Sequence, residues 1–152
     1  IAGCAQAHTH QHVTKIPSFD EMGAAMSLAR AKTASRMDIG DIRYAGIYDS
    51  FTITLAMLLE ELGLAARGAA AATVRDGYFG RHGAMPLNTH GGLLSYGHCG
   101  VGGAMAHVVE THLQMTGRAG SRQAAHDIPV ALLHGDGGVL SSHVSMFLER
   151  VR

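Results

Sequence analysis

The sequence predicts an α/β fold in which helices pack on a mixed sheet. Three observations lead there. Strand-like and helix-like stretches follow one another in the order βαβαα-loop-αββ, and alternation of that kind lays helices on a sheet. Apolar residues make up 47% of the chain, which excludes a disordered segment and supplies a core. At 152 residues the chain has the length of one domain, 1–152, and needs no disulfide or metal staple.

The elements follow in order. Residues 1–13 read as a strand whose second half turns polar, and Ile16-Pro17 ends the extended stretch. Ser18 and Glu21 have capping-box spacing: the serine takes an amide inside the helix and the glutamate returns to the serine amide. An Ala-rich helix is expected to run to about Ser35, with Met22, Ala25, Met26 and Ala29 on one face. Gly40-Asp41 is a turn, and Ile42 to Tyr48 a short strand. Asp49 or Ser50 caps a second helix, Thr52 to Leu62, which stops at Gly63. Between Leu64 and Leu87 the pattern fails, apart from a helical Ala69–Ala72, so a long covering or functional loop is expected. Asn88 to His98 is a dense turn region. A third long helix runs from Gly102 to Met115 and stops at Gly117. Ile128 to His134 is a strand, Gly135–Gly138 a tight turn, and Val139 to Leu148 the returning strand of a hairpin.

Composition narrows the function classes. Lys+Arg equals Asp+Glu at 12 each, whereas a nucleic-acid binder carries a basic excess. No apolar run is long enough to span a bilayer. Two cysteines make no disulfide framework, so a reducing, cytoplasmic setting is expected. The chain opens on Ile1 with no signal-peptide pattern, and is expected to be a piece of a longer, two-domain protein. Glycine accounts for 20 residues, near double the ~7% average, which points to close backbone packing and glycine turns around a site.

Several motifs are weaker than they look. His8, His10 and His12 alternate on the first strand, so three imidazoles could share a face around a metal. No carboxylate or thiol completes that set nearby, and a solvated strand end is favoured, with no metal expected. Gly100-Val101-Gly102-Gly103 opens a helix, but Met105 stands where a dinucleotide fingerprint needs glycine. No Gly-Lys-Ser/Thr follows, so it is no phosphate loop. Ser50, Ser95, His98, His134 and Asp136 could supply parts of a hydrolase triad, yet no Gly-x-Ser-x-Gly elbow is present. Cys4 is expected to be a small buried residue.

The informative pattern is the conjunction of three junctions. Tyr48-Asp49-Ser50-Phe51-Thr52 stands where a strand meets a helix. Asn88-Thr89-His90-Gly91-Gly92-Leu93-Leu94-Ser95-Tyr96-Gly97-His98 and His134-Gly135-Asp136-Gly137-Gly138 are glycine turns rich in ionisable groups. Each alone reads as a cap or a tight turn. Together they predict one site at one end of the sheet.

These segments resemble the C-terminal half of the thiolase superfamily, over nearly the whole chain. The likeness is carried above all by Asn-x-x-Gly-Gly followed by Gly-His within Asn88–His98. Within the superfamily the chain is most similar to the lipid-transfer or sterol-carrier-protein-X type, and to the thiolase-like aldolases that shorten steroid side chains. Where that type carries His-Asp-Cys-Phe, this chain has Tyr48-Asp49-Ser50-Phe51. Other thiolases place an acid/base cysteine on the final glycine loop, where this chain has His134-Gly135-Asp136. Both cysteines are missing. Cys99 replaces the proline of Gly-His-Pro and is incidental.

The resemblance implies a retro-aldol cleavage of a β-hydroxyacyl-CoA. That reaction needs a base, a stabiliser for the thioester enolate and an acid, but no acyl-enzyme. Tyr48 and Tyr96 are the implied acid/base pair and His98 the oxyanion donor. Asn88, His90, Gly91, Gly92, Gly137 and Gly138 are the implied substrate-binding residues. No cofactor is implied beyond the coenzyme A of the substrate. The implied partners are an N-terminal thiolase half, a second copy of the complete protein and a small protein with an OB fold and zinc ribbon. Two alternatives stand beside it: a thiolase or acetyl-CoA acyltransferase with its nucleophilic cysteine in the other half, and a non-catalytic lipid-binding or scaffold half. The chain alone is expected to be inactive.

Overall fold

A computed structural model describes residues 1–151, the side chain of Val101 excepted. Val101 in the glycine run and Arg152 at the end of the expected domain therefore fall outside the description. The strands are β1 (Gly3–His8), β2 (Tyr44–Ile47), β3 (Val130–Gly137) and β4 (Ser142–Glu149). The helices are α1 (Ala24–Ser35), α2 (Thr52–Glu61), α3 (Ala70–Arg75), α4 (Gly92–Tyr96) and α5 (Gly103–Met115). The sheet order is β1-β4-β3-β2. β2 runs parallel to β3, with Ile47 opposite His134, and the other pairs are antiparallel. Leu87 adds one parallel bridge outside β2, at Ala45.

Alternation along each strand sorts side chains to two faces. Ala45, Ile47, Leu132 and Phe147 join Leu28, Ala31, Leu58 and Leu59 in the larger core, under α1 and α2. Tyr44 and Ala131 join Met115 and Ile128 on the other face, under α5. Gly46 lets α5 approach: a Cβ there would stand 3.0 Å from the Thr111 hydroxyl and 2.6 Å from Leu133. The result is helix, sheet, helix, as the fold class predicts.

Several boundaries differ from expectation. β1 ends at His8, five residues early, and His12 caps a short 3-10 turn, accepting the Thr14 amide. His8 and His12 are exposed and His10 is buried, so the three imidazoles do not converge. Cys4 is exposed rather than buried. Ser18 caps only a turn, accepting the Asp20 amide. α1 starts later, at Gly23 with φ +116°, where buried Glu61 accepts the Gly23 and Ala25 amides at 2.9 and 3.3 Å. A carboxylate at a helix N-terminus satisfies orphan amides and favours the dipole. The late start rotates the buried face to Ala24, Ser27, Leu28 and Ala31, leaving Ala25, Met26 and Ala29 outside. α2 begins without a side-chain cap, so neither Asp49 nor Ser50 serves it. The failed pattern after Leu64 contains α3, which takes in Ala70–Ala72 of the predicted Ala69–Ala72, with Ala69 as its N-cap. Gly135–Gly137 continues β3, and the reversal falls at 138–141. Val139 and Leu140 there take φ of +57° and +63°, a conformation that costs about 1–2 kcal/mol per L-residue.

Candidate active site

The site is built where β2 ends. Asn88 (φ +45°) clamps that end: its Oδ1 accepts the Ile47 amide at 2.9 Å and its Nδ2 donates to the Ile47 carbonyl at 2.7 Å. Asn88 therefore shapes the loop with both polar atoms. The Tyr48 amide donates to the His134 carbonyl at 2.9 Å, so Tyr48 is tied to β3 as well.

Asp49 turns back under α4. Its Oδ1 accepts the Leu93 amide at 2.8 Å and its Oδ2 faces the Leu94 amide at 3.5 Å. Gly92 has φ +68°, and a Cβ there would lie 2.0 Å from Asp49 Oδ2. The Gly91-Gly92 pair is thus required by the carboxylate beneath it. Thr89 fixes the same loop to α5, donating to Glu110 Oε1 at 2.7 Å and lying 3.1 Å from the Tyr44 hydroxyl. Burial opposes the Glu110 charge, but hydrogen bonds from Arg122, Gln114 and Thr89 outweigh it and hold the carboxyl below its usual value. Tyr44, buried beside them, is pushed up to about 12 by burial and stays a phenol.

Tyr48 and His98 meet across this loop at 2.5 Å, hydroxyl to Nε2. The Gly100 amide donates to His98 Nδ1 at 3.1 Å. That nitrogen is therefore the acceptor, and Nε2 carries the hydrogen when the ring is neutral. His98 then donates to the Tyr48 oxygen, which frees the phenolic O–H for another partner. Burial, then the charges of Asp136 and Asp49, raise the Tyr48 pKa above its ordinary value. Tyr48 is an acid at neutral pH.

Tyr96 stands apart. It is 71% exposed and packs edge-on against His90, centroids 5.6 Å apart. His90 meets His107 at 5.0 Å, and His107 meets Tyr48 at 6.4 Å. Two imidazole rings thus connect the two tyrosines, but Tyr48 and Tyr96 line different cavities. Tyr48 shares one of about 320 Å³ with Ser50, Asp136, Gly137 and Gly138. Tyr96 shares one of about 480 Å³ with His90, Cys99 and Arg122. Both ring nitrogens of His90 lack hydrogen bonds, and burial, then the neighbouring His107, lowers its pKa. No hydrolase triad forms: His98 bonds Tyr48, and His134 bonds Ser145 and His143.

The polar stripe on α5 and a buried chain beneath β3 are absent from the sequence reading. His107, Glu110, Thr111 and Gln114 recur at helical spacing and are all buried. That spacing was the available signal, since a polar stripe on a core-facing helix marks a network. His107 Nε2 lies 3.4 Å from Asp49 Oδ1, an ion-pair distance without hydrogen-bond alignment. The buried chain is directional. His143 Nε2 faces the Leu140 carbonyl at 3.0 Å and must donate to it. His143 Nδ1 therefore accepts from His134 Nε2 at 3.2 Å, and His134 Nδ1 accepts from the Ser145 hydroxyl at 2.9 Å.

Burial, then His143, pushes the His134 pKa down to about 3. The unfolded chain binds a proton from about pH 6.5 that the folded protein refuses until pH 3, so the fold loses stability as pH falls below 6.5. Asp136 works the other way below pH 6, so the comparison is with a variant. Lowering the pH from 7.5 to 5 is expected to destabilise the protein by about 2 kcal/mol more than His134→Asn. Urea midpoints at both pH values measure this. Equal pH losses in the two proteins refute the refused proton.

The comparisons with known proteins agree with this architecture. Residues 5–150 match the family described as thiolase C-terminal domain-like, and the chain belongs to that family. It is 28% identical over 147 residues to an acetyl-CoA acetyltransferase of Methanothermobacter thermautotrophicus, covering 94% of this chain and 37% of the relative. It is 38% identical over 86 residues to a steroid side-chain-cleaving aldolase of Thermomonospora curvata, covering 57% of this chain and 22% of the aldolase. Among solved structures, the Ltp2-ChsH2(DUF35) aldolase superposes with a TM-score of 0.74 at 29% identity, over 97% of this chain and 38% of that one. The chain therefore spans less than two fifths of the length of these relatives. The α/β, thiolase-like fold expected from the sequence is the fold found. No helix among the described residues is long and apolar enough to cross a membrane.

Proposed function

We propose that this chain forms the C-terminal half of a thiolase-like enzyme that cleaves a β-hydroxyacyl-CoA by a retro-aldol reaction. The observation that carries the reading is the Tyr48–His98 pair, 2.5 Å apart, beside the junction where Ser50 replaces the cysteine of the thiolases this chain resembles. A phenol donated to by an imidazole can deliver a proton to an enolate carbon, and the imidazole N–H then stabilises the phenolate. His98 thereby acts through Tyr48 rather than as a free oxyanion donor. The Gly137-Gly138 backbone lines the same cavity and leaves room for a thioester. The steroid side-chain-cleaving relative supports a polycyclic acyl group as the substrate class.

The reading carries further parts. A thiolase-like N-terminal half completes the site over α5, whose Met105 and Val109 are more than half exposed. Tyr96 and His90 face that half. Coenzyme A enters as part of the substrate, with no separate cofactor. The complete protein is a cytoplasmic homodimer, and the second named component of the aldolase neighbour supports a small partner protein. A second reading, thiolytic acyl transfer, is supported by the acetyltransferase relative, which covers most of the chain. The test is to incubate the full-length protein with a β-hydroxyacyl-CoA whose hydroxyl stands on a ring carbon. Release of ketone and shorter acyl-CoA without added CoA is expected. Turnover of 3-ketoacyl-CoA that depends on free CoA, with no aldol cleavage, gives the site to the second reading.

A further inference from the structure

We infer that Asp136 is the base of this site, an assignment that rests on the retro-aldol reading and completes it. Asp136 stands on β3 two residues beyond His134, whose carbonyl holds the Tyr48 amide. Asp136 is one of the residues common to the linings of two cavities. One, about 320 Å³, holds Tyr48, Ser50 and the Gly137-Gly138 backbone. The other, about 330 Å³, opens beside α5 with Gly46, His107 and Val144. Its Oδ1 is shielded from water and has no hydrogen-bond partner. A shielded carboxylate oxygen without a partner is costly to the fold, and such strain in a cleft points to function.

The neighbours are already committed. Asp49 caps α4, and His98 Nδ1 accepts from Gly100. His134 and His143, the residue opposite Asp136 on β4, bond each other. His107 lines the second cavity from α5, and α2 contributes Thr54, with its N-cap Phe51, to the first. Tyr48 is held protonated. Burial pushes the Asp136 carboxyl up to about 6, close to the value that suits a base at neutral pH.

The proton account closes on these two residues. The Asp136 carboxylate takes the β-hydroxyl proton as the O–H pair closes the new carbonyl. The Cα–Cβ bond breaks, and its pair passes into the thioester enolate. Tyr48 gives its phenolic proton to Cα while His98 donates to the phenolate. Asp136 then returns its proton to Tyr48, and both groups end as they began.

The experiment uses full-length protein, Asp136→Asn and Asp136→Glu. Two activities are read: cleavage of the β-hydroxyacyl-CoA, and exchange of the α-hydrogens of the product acyl-CoA in deuterium oxide. Exchange needs the Asp136–Tyr48 proton transfer but no aldol bond. Asp136→Asn is expected to lower both by 100-fold or more, and Asp136→Glu to restore part. The wild-type kcat should fall on an acidic limb near pH 6 that the Asn variant lacks. Stability gives an independent readout. Because the folded carboxyl binds its proton more tightly than the unfolded one, wild type loses stability as pH rises through 6. Asp136→Asn should therefore melt higher than wild type at pH 7.5 but not at pH 4. Variant rates within threefold of an active wild type overturn the role of Asp136 and leave the retro-aldol reading standing. A wild type that exchanges without cleaving overturns that reading, and the exchange comparison still decides Asp136. A wild type with neither activity overturns both.

Discussion

Tyr48→Phe in the full-length protein should lower kcat for β-hydroxyacyl-CoA cleavage by at least 100-fold, with KM changed less than threefold. The substitution removes one oxygen. The ring still packs at 5.8 Å from His98 and 6.4 Å from His107, and the backbone ties to His134 persist. Substrate binding should therefore survive while the proton donor to Cα is lost, the signature of an interaction made in the transition state. Typical general-acid contributions of about 10²–10⁴-fold set the size. Steady-state kinetics check it, with the urea midpoint as a control for folding. Turnover within threefold of wild type removes Tyr48 from the chemistry. Tyr96→Phe makes a contrast, because Tyr96 is exposed and lines another cavity. On the proposed two-half enzyme its effect belongs to the surface that the other half would cover. A loss as large as that of Tyr48→Phe would mean that the other half brings the two tyrosines around one substrate.

How legible this site was in the sequence depended on whether local pattern or distant contact decided each residue. α2, α5 and the closing hairpin follow from apolar period and glycine stops, and the structure places them within a few residues of expectation. The three ionisable junctions were also legible, and they do meet at one end of the sheet. What failed were features fixed by partners far along the chain. The capping box at Ser18 satisfies every local rule, yet Glu61, 38 residues on from Gly23, takes the orphan amides of α1. Asp49 has the position of a cap for α2 but serves α4, 44 residues away. The Tyr48–Tyr96 pair was implied by resemblance rather than by local pattern, and within this chain the two tyrosines line different cavities. His98 is a different case: its oxyanion role was implied by resemblance, whereas its bond to Tyr48 is set by the Gly100 amide on Nδ1, which no local pattern announces.

Gly92→Ala should destabilise the protein by roughly 3–5 kcal/mol, more than any cap removal alone, because three effects fall on one methyl group. The residue holds φ +68°, which costs an L-residue about 1–2 kcal/mol. The methyl carbon would stand 2.0 Å from Asp49 Oδ2, so the carboxylate must move. Asp49 is 3% exposed and bonds the Leu93 amide, so moving it leaves a buried charge and an orphan amide unmatched, a further loss of about 1–3 kcal/mol. Urea midpoints measure the change, and a double-mutant cycle isolates its cause. Asp49→Ala removes the obstacle as well as the cap. Adding Gly92→Ala to it should then cost only the backbone term, leaving a coupling above about 1 kcal/mol between the two positions. Strict additivity would mean that Asp49 already has room to move, and a single-variant loss below about 1 kcal/mol would mean that α4 is not held by it. The same movement withdraws the carboxylate that faces His107 at 3.4 Å and frees the loop carrying His98. Turnover should therefore fall with stability in Gly92→Ala, although the residue touches no reacting atom. Activity at a temperature where the variant remains folded separates loss of the site from loss of the fold.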